Sequence, residues 1–319
     1  MYKYFSLKHS SIIRMVGSAI ALRPEPVLKH LIVTADDFGL HESVNEAIEQ
    51  ASHAGVLTAA SLMISGPAAA DAIRRARRLP QLRVGLHLVL ADGRGTLPAS
   101  KLSSIADRDG FMDSAMFSRG VAIFADARAR QQARAEIRAQ LEAFRDSGLE
   151  LDHVNAHKHF HLHPTVLGML LSMAQEFAIR AIRVPHEPLW FARARGGRLA
   201  AVSAAALAPL TALMKQRIRT AGLLHNDRVF GIANSGAMDE GALLQVLARL
   251  PTGISEIYLH PAAESGNAIA ASMPNYRHAD ELAALLSPRV RSALAGVKLG
   301  GYRDVRNCVH AVPVVYSDR

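Results

Sequence analysis

A single cysteine, Cys308, stands in a chain of 319 residues. One thiol can neither close an intrachain disulfide nor build a cysteine-based zinc site, so the chain suits a reducing compartment. Cys308 lies near the tail and outside any motif, which removes it as a nucleophile. Aromatic residues are also scarce, at 5%, and none interleaves with basic residues in the way that stacks nucleic-acid bases. No nucleic acid is therefore expected as a partner, although the formal net charge is +9. Runs of roughly 18 consecutive apolar residues, the length that spans a bilayer, are missing too. What the positive balance still suits is an anionic membrane face. The cluster Arg74, Arg75, Arg77 and Arg78 reads as a solvated helix face rather than a binding patch.

The ends carry little. Residues 1–28 have a basic start and a short apolar stretch, Met15 to Leu22, interrupted by Arg14 and closed by Arg23-Pro24. That stretch is short for a signal peptide, and the segment reads as a disordered or mis-started leader. Residues 306–319 read as a tail, and 29–305 as one domain.

Within that domain strands and helices alternate. His30 to Ala35 is an apolar strand of the buried parallel kind running into Asp36-Asp37-Phe38-Gly39. Helical spacing follows from Glu42 to Gly55. Strands are expected at Val56–Ile64 and Arg83–Leu90, with a helix at Ala68–Arg78 between them. Residues 91–118 read as an irregular excursion and Ala127–Arg145 as an amphipathic helix. Further on come a helix at Val166–Phe177, a short strand at Ala181–Val184, a helix at Gly241–Leu250, a strand at Ser255–Leu259 and a helix at Ala279–Leu286. Such alternation implies an α/β fold with a parallel sheet and helical crossovers. The polar residues Asp36, Asp37, His87, Arg183 and His260 each fall at or near a predicted strand's C-terminal end, which is the catalytic mouth of a barrel of parallel strands.

Residues 191–225 break the rhythm. Gly196-Gly197-Arg198 leads into an Ala-, Leu- and Val-rich stretch from Leu199 to Met214, followed by Lys215, Arg217 and Arg219. Basic residues flanking an apolar helix suit an interfacial element or a cover for a lipid tail; an Ala-rich core or dimer helix fits equally well.

Histidine is where the chain is rich. Five of fifteen histidines, His153, His157, His159, His161 and His163, fall within eleven residues, and from His157 they occupy every second position. That alternation would place them on one face of a strand. A face of imidazoles is a poor core and a good site for metal or proton chemistry. Asp36-Asp37 alone also reads as a helix N-cap with an acidic neighbour, and His87 alone as a core histidine. Together, a carboxylate and two imidazoles would hold a divalent cation with positions open for water, as in catalytic zinc sites or non-haem iron centres.

Thr34-Ala-Asp-Asp-Phe-Gly39, Asn45, Ser61-Leu-Met63, Gly85-Leu-His87, the block from His153 to His161 and His260-Pro261, in that order, resemble the YdjC-type carbohydrate deacetylases over about residues 29–300. The histidine block is most similar to the hopanoid-biosynthesis-associated branch, HpnK, which is thought to act on an N-acetylglucosaminyl hopanoid. The resemblance implies a distorted, incomplete (β/α) barrel of the NodB-like, glycoside hydrolase/deacetylase type. It implies Asp37, His87 and His157 as metal ligands, Asp36 as general base, His260 as general acid, and Arg183 as the group that keeps Asp36 ionised. The metal would be Zn2+, with Mg2+, Ni2+ or Co2+ as alternatives. Many members carry Asp where this chain has Asn155, which can orient a ligand or bind sugar. His159 and His161 are expected to line the substrate pocket and His163 to be structural. The implied reaction is removal of an acetyl group from a lipid-linked amino sugar, with soluble N-acetylated oligosaccharides such as chitobiose as the alternative substrate. A phosphoester hydrolase and a non-catalytic metal-binding or scaffold protein are the rival classes. The expected setting is the cytoplasm, peripheral on the inner membrane, with a homodimer as one option.

Overall fold

The computed structural model describes residues 29–264, 269 and 273–309. The expected leader and residues 310–319 of the expected tail lie outside them. The chain begins with β1 (Lys29–Phe38), α1 (Glu42–Ala54), β2 (Ala59–Leu62), α2 (Ala69–Ala76) and β3 (Arg83–Leu88). The excursion holds a small hairpin, β4 (Gly93–Arg94) and β5 (Phe111–Met112), and ends in α3 (Met116–Ala125). Then come α4 (Ala127–Asp146), β6 (Val154–Ala156), α5 (Pro164–Met173) and the long α6 (Leu189–Thr220). The last part contains β7 (Arg228–Phe230), α7 (Glu240–Ala248), β8 (Gly253–Leu259), α8 (His278–Leu286), α9 (Pro288–Ala293), β9 (Lys298–Leu299) and α10 (Tyr302–Val309).

The main sheet is parallel throughout, in the order β6-β3-β2-β1-β8-β7, and β9 pairs with the start of β1. It curls. Beyond β6 the pairing continues only as single bridges, Val154 with Ile182 and Ala181 with Leu224. From the other edge, the Val229 amide donates to the His186 carbonyl at 2.9 Å. The strand expected at Ala181–Val184 is thus reduced to isolated bridges, and the arc from β6 to β7 is spanned without a ladder. A distorted, incomplete (β/α) barrel is the result.

Period-2 alternation divides the side chains of this sheet into two sets. Leu31, Val33 and Ala35 of β1, Ala60 and Leu62 of β2, and Val84, Leu86 and Leu88 of β3 join the large apolar core under the helices. The opposite face lines the concave interior. There Ile32, Ala59 and Ala181 form a small separate cluster with Tyr302 and Val305 of α10. Higher up, the interior turns polar: Thr34 and Asp36 from β1, Ser61 from β2, His87 from β3, Asn155 from β6, Arg183, and Glu256 from β8 are all at most 2% exposed. Burying so many polar groups costs several kcal/mol each unless they are bonded, and their partners are what build the site.

The structure overturns one expectation outright. His157–Leu162 is not a strand but a tight helical turn, with left-handed φ of 53° at Lys158 and 54° at His159. β6 stops at Ala156, and the chain reverses immediately after His157. Alternation in the sequence therefore does not line the imidazoles along one strand face: His157 turns to Asp37 and His161 to the Arg183 carbonyl, while the His159 and His161 rings meet edge to face.

α6 also differs from a plain core helix. It continues to Thr220, includes Pro209, and is broken at Gly197 (φ 73°). Among the described residues it is the one helix long and apolar enough, by length and composition, to cross a membrane, and most of its apolar stretch is uncovered.

Candidate metal centre and active site

Adjacent residues on a strand point in opposite directions, so Asp36 and Asp37 would not normally share a site. β1 resolves this with a register shift between Ala35 and Phe38 against β2 and a left-handed φ of 62° at Asp37. Irregularities of this kind re-aim side chains at strand ends, and Asp tolerates that conformation better than most residues. The loop beyond is fixed by Asn45, whose Oδ1 accepts from the Gly39 amide at 2.8 Å and whose Nδ2 donates to the Ala68 carbonyl at 3.0 Å. Both carboxylates end up in the mouth, each at most 2% exposed.

Asp37, His87 and His157 meet there. Asp37 Oδ1 lies 3.2 Å from His87 Nε2 and 3.1 Å from His157 Nδ1. One ligand atom from each of the three falls within 4.8 Å of the others. Asp37 Oδ2 is buried with no protein partner. A carboxylate oxygen left bare in the interior beside two imidazoles fits a divalent cation, and the donor set suits zinc. Burial acts to raise the Asp37 carboxyl, but the His157 and His87 rings outweigh it and hold the carboxyl well below the usual range. His157 itself, against burial that lowers it, is raised to about 9 by Asp37 and then Asp92. Asp92 accepts from Lys158 Nζ at 2.6 Å.

Asp36 stands beside this set in a different environment. Arg183 Nη1 donates to its Oδ2 at 2.5 Å and Nη2 to its Oδ1 at 3.0 Å. Nη2 also donates to Glu256 Oε1 at 2.8 Å, and the guanidinium sits 5.0 Å from the Tyr258 ring centroid. Burial would raise the Asp36 carboxyl, yet Arg183, and to a lesser degree His87, keep it far below its ordinary value. Asn155 Nδ2 adds a bond to Asp36 Oδ1 at 3.2 Å. Oδ1 thus has two donors and Oδ2 one, which leaves Oδ2 room to accept another hydrogen.

Asn155 is fully buried. It bonds His87 Nδ1 at 2.7 Å through Oδ1 and Ser61 Oγ at 2.9 Å through Nδ2. Of its two expected roles, these contacts support orienting a ligand, and its amide does not reach the pocket surface. His161 is likewise fully buried, with Nε2 on the Arg183 carbonyl at 2.9 Å. It braces Arg183 from behind and does not line the pocket. His159 is only partly covered and contacts the Tyr258 hydroxyl at 3.2 Å. His163 precedes α5 and stacks on Phe160. His260 lies between the Tyr258 and Tyr276 rings, at 5.4 and 4.9 Å. Its amide donates to Glu281 Oε2 at 2.5 Å. Burial lowers His260 to about 4, although Asp37 and Asp36 pull the other way.

Glu256, Tyr258, Tyr302 and Asp92 went unremarked in the sequence. A signal for the first two exists: Glu256, Tyr258 and His260 alternate along the end of β8 and just past it, the pattern of an inward polar face. Tyr302 gave none, because it reaches the interior from a helix at the far end of the barrel.

Comparison with known proteins agrees with this architecture. The model of the YdjC-like protein family matches residues 30–296. A carbohydrate deacetylase of Geobacillus stearothermophilus is 30% identical over 279 residues, covering 86% of this chain and 98% of that protein. A carbohydrate deacetylase of Mus musculus is 31% identical, over 86% of this chain and 94% of its own length. One from Brevibacillus brevis is 38% identical, over 49% of this chain and 59% of its own length. Among solved structures, a protein of Enterococcus faecalis V583 described as a cellobiose-phosphate cleavage protein superposes with a TM-score of 0.67 at 24% identity, covering 87% of this chain and 99% of that one.

Proposed function

The chain belongs to the YdjC-like protein family, and from that premise we propose that it is a metal-dependent carbohydrate N-deacetylase acting on an N-acetylglucosaminyl lipid of the hopanoid kind. The observation that carries the hydrolytic part is the pairing of a bare carboxylate oxygen on Asp37, between His87 and His157, with the separately clamped carboxylate of Asp36. Asp37, His87 and His157 would hold a divalent cation, Zn2+ by donor chemistry, which supplies Lewis-acid polarisation of the acetyl carbonyl and activation of water.

The chain's own residues do the rest. Arg183 holds Asp36 ionised and oriented, at some loss of basicity, and the open acceptor position on Oδ2 takes the proton of the attacking water. His260, lowered to about 4, rests unprotonated near neutrality. It donates to the departing sugar amine only after receiving, in the same turnover, the proton that Asp36 takes from the water. Acetate and a free amino sugar are the products. Asp36→Asn tests the base: turnover should fall about 10²–10⁴-fold with metal still bound, and unchanged activity overturns the assignment. Release of phosphate in place of acetate would transfer the site to the phosphoester reading.

The lipid part rests on α6. Leu199, Val202, Ala206, Pro209 and Leu213 follow one another at three- and four-residue steps, which places them along one stripe of the helix. Leu199 is 84% exposed and Val202 66%. On the other side of the helix Thr211, Met214 and Ile218 are buried against the body, so α6 is seated on the domain along one face and bare along another. Between that helix and the barrel end lies a cavity of about 270 Å3, lined by Pro185, Glu187, Ala204, Leu207, Thr211 and Ile232. With Arg193, Arg195 and Arg198 at one end and Lys215, Arg217 and Arg219 at the other, the helix suits lying in the headgroup layer of an anionic leaflet. The enzyme would then be peripheral on the cytoplasmic face of the inner membrane. Acetate release from an N-acetylglucosaminyl lipid should be faster than from N-acetylchitobiose; the reverse order would leave the deacetylase standing and discard the lipid.

A further inference from the structure

Behind the ligand residues runs a second buried polar chain that the metal chemistry does not use. It joins Asp152, His153 and Ser61, exposed by 4%, 0% and 0%, to Asn155. Ser61 Oγ lies 3.0 Å from His153 Nε2, and His153 Nδ1 lies 3.0 Å from Asp152 Oδ2. A Ser-His-Asp row of this kind would suggest a nucleophile if the serine met solvent. Here the hydroxyl faces Asn155.

The direction of each hydrogen bond follows from the two ends. Asp36 is clamped by two guanidinium donors and can only accept, so the Asn155 atom beside it is the amide nitrogen. The amide oxygen then faces His87 Nδ1, and that nitrogen must carry a proton. The same amide nitrogen donates to Ser61 Oγ. Ser61 accepts there and passes its own hydrogen to His153 Nε2, the remaining partner. His153 Nε2 being an acceptor, its proton sits on Nδ1 and goes to Asp152. At the far end, Asp152 accepts the backbone N–H of Tyr302 at 3.1 Å and of Arg303 at 2.9 Å, and backbone donors cannot reverse. Both ends demand the same order.

The seat of His153 is built for it. A Cβ on Gly85 would lie 2.5 Å from the imidazole, so the ring lies against bare backbone on one side. The Tyr302 ring covers it with centroids 5.1 Å apart. Gly85 stands two residues before His87 on the same strand face, where any side chain would displace the relay.

We propose that Asp152, His153 and Ser61 are positioning residues. With Asp36 fixing the other end, they lock the proton order of this chain and thereby help hold His87 with Nδ1 protonated and Nε2 free for a divalent cation. The orientation of a metal-bound imidazole is commonly fixed by what its other nitrogen bonds; here that control extends three residues deeper, to the start of α10. The part that concerns the cation rests on the metal reading of the site; the proton order does not.

The first measurement is the protonation pattern of the imidazole rings of the full chain by heteronuclear NMR. His153 should carry its proton on Nδ1 with Nε2 accepting; a proton on Nε2 overturns the proposal without any variant. The second is zinc affinity by competition with a chromophoric chelator. Ser61→Ala, with unchanged melting temperature, should bind zinc about tenfold more weakly, the low end of the range for groups behind metal ligands. Its His153 ring should lose the single tautomer. Unchanged zinc affinity in a folded Ser61→Ala overturns the proposal. If the wild-type chain takes up no zinc while His153 shows Nδ1–H, the metal reading falls and the proton order of the chain stands supported.

Discussion

The barrel interior and α6 are opposites. In the interior, polar side chains largely bond one another: Tyr302 donates to Glu256 at 2.7 Å, Glu256 receives Arg183, and Arg183 holds Asp36. Along α6, Leu199, Val202 and Leu213 touch too little of the protein to explain their chemistry, with Leu213 still 48% exposed. The first region finds most of its partners within the chain, although Arg183 Nε, Ser255 Oγ, His161 Nδ1 and His260 Nδ1 have none there; the second finds few. Under the proposed function, reaction and substrate selection would be carried by separate parts. Variants of the interior should impair turnover of any N-acetylated sugar, and variants of α6 only of one borne on a lipid.

The sharpest way to break that division is at Asp36. Asp36→Asn should lower kcat by about 10²–10⁴-fold, the usual weight of a general base, equally for soluble and lipid-linked substrates. Metal content, measured by elemental analysis, should be unchanged. His87→Ala should instead lose the metal and with it both activities. A variant of either kind that spared one substrate would show the two regions to be one.

Arg183→Met comes next. It leaves Asp36 and Glu256 buried without their shared cation, and removing one partner of such a set costs about 3–5 kcal/mol. Urea unfolding should register a loss of that size. A near-neutral result would mean that the interior is wetter than its 0% exposure at Arg183 implies.

Much of this was legible in the sequence for a physical reason. Strand periodicity separates an apolar face from a polar one, so Asp36, His87 and Arg183 declared themselves as charged or polar residues in apolar strands. What stayed hidden depended on backbone irregularity. Nothing in the residue types of Asp-Asp-Phe-Gly announces that Asp37 takes a left-handed φ, the turn that brings both carboxylates into one mouth. The histidine block misled for the same reason. Its perfect alternation is a strand signature, and left-handed residues at Lys158 and His159 cancel it. Tyr302 was beyond reach because pairing a C-terminal helix with the floor of a barrel is purely tertiary.

The interior should also show itself in acid stability. Burial lowers His161 to about 3 from an ordinary 6.5, though its bond to the Arg183 carbonyl opposes this. Unfolding releases a histidine that binds a proton readily, so between about pH 6.5 and 3 the unfolded state holds more protons and stability falls as pH falls. This residue alone contributes a slope near about 1.4 kcal/mol per pH unit inside that window. His161→Gln removes the titrating ring, so its stability should decline less steeply than that of wild type over the same range. Parallel pH profiles would mean that His161 is already protonated in the folded protein.

The smallest effect on catalysis, and the cleanest test of the division, belongs to α6. Leu199→Ser with Val202→Ser changes two exposed side chains that make no contact with the site, so melting temperature and activity on a soluble N-acetylated sugar should stay at wild-type values. Binding to vesicles rich in anionic lipid should weaken by at least about tenfold, since fully burying each such side chain is worth about 1.5–3 kcal/mol. Raising the salt concentration should weaken the wild type further, because the flanking arginines act through screened charge. If the double variant kept its vesicle binding, the stripe would not be the contact face, and the unpaired surface of α6 would need a protein occupant, with a second copy of this chain the first to test by its sedimentation.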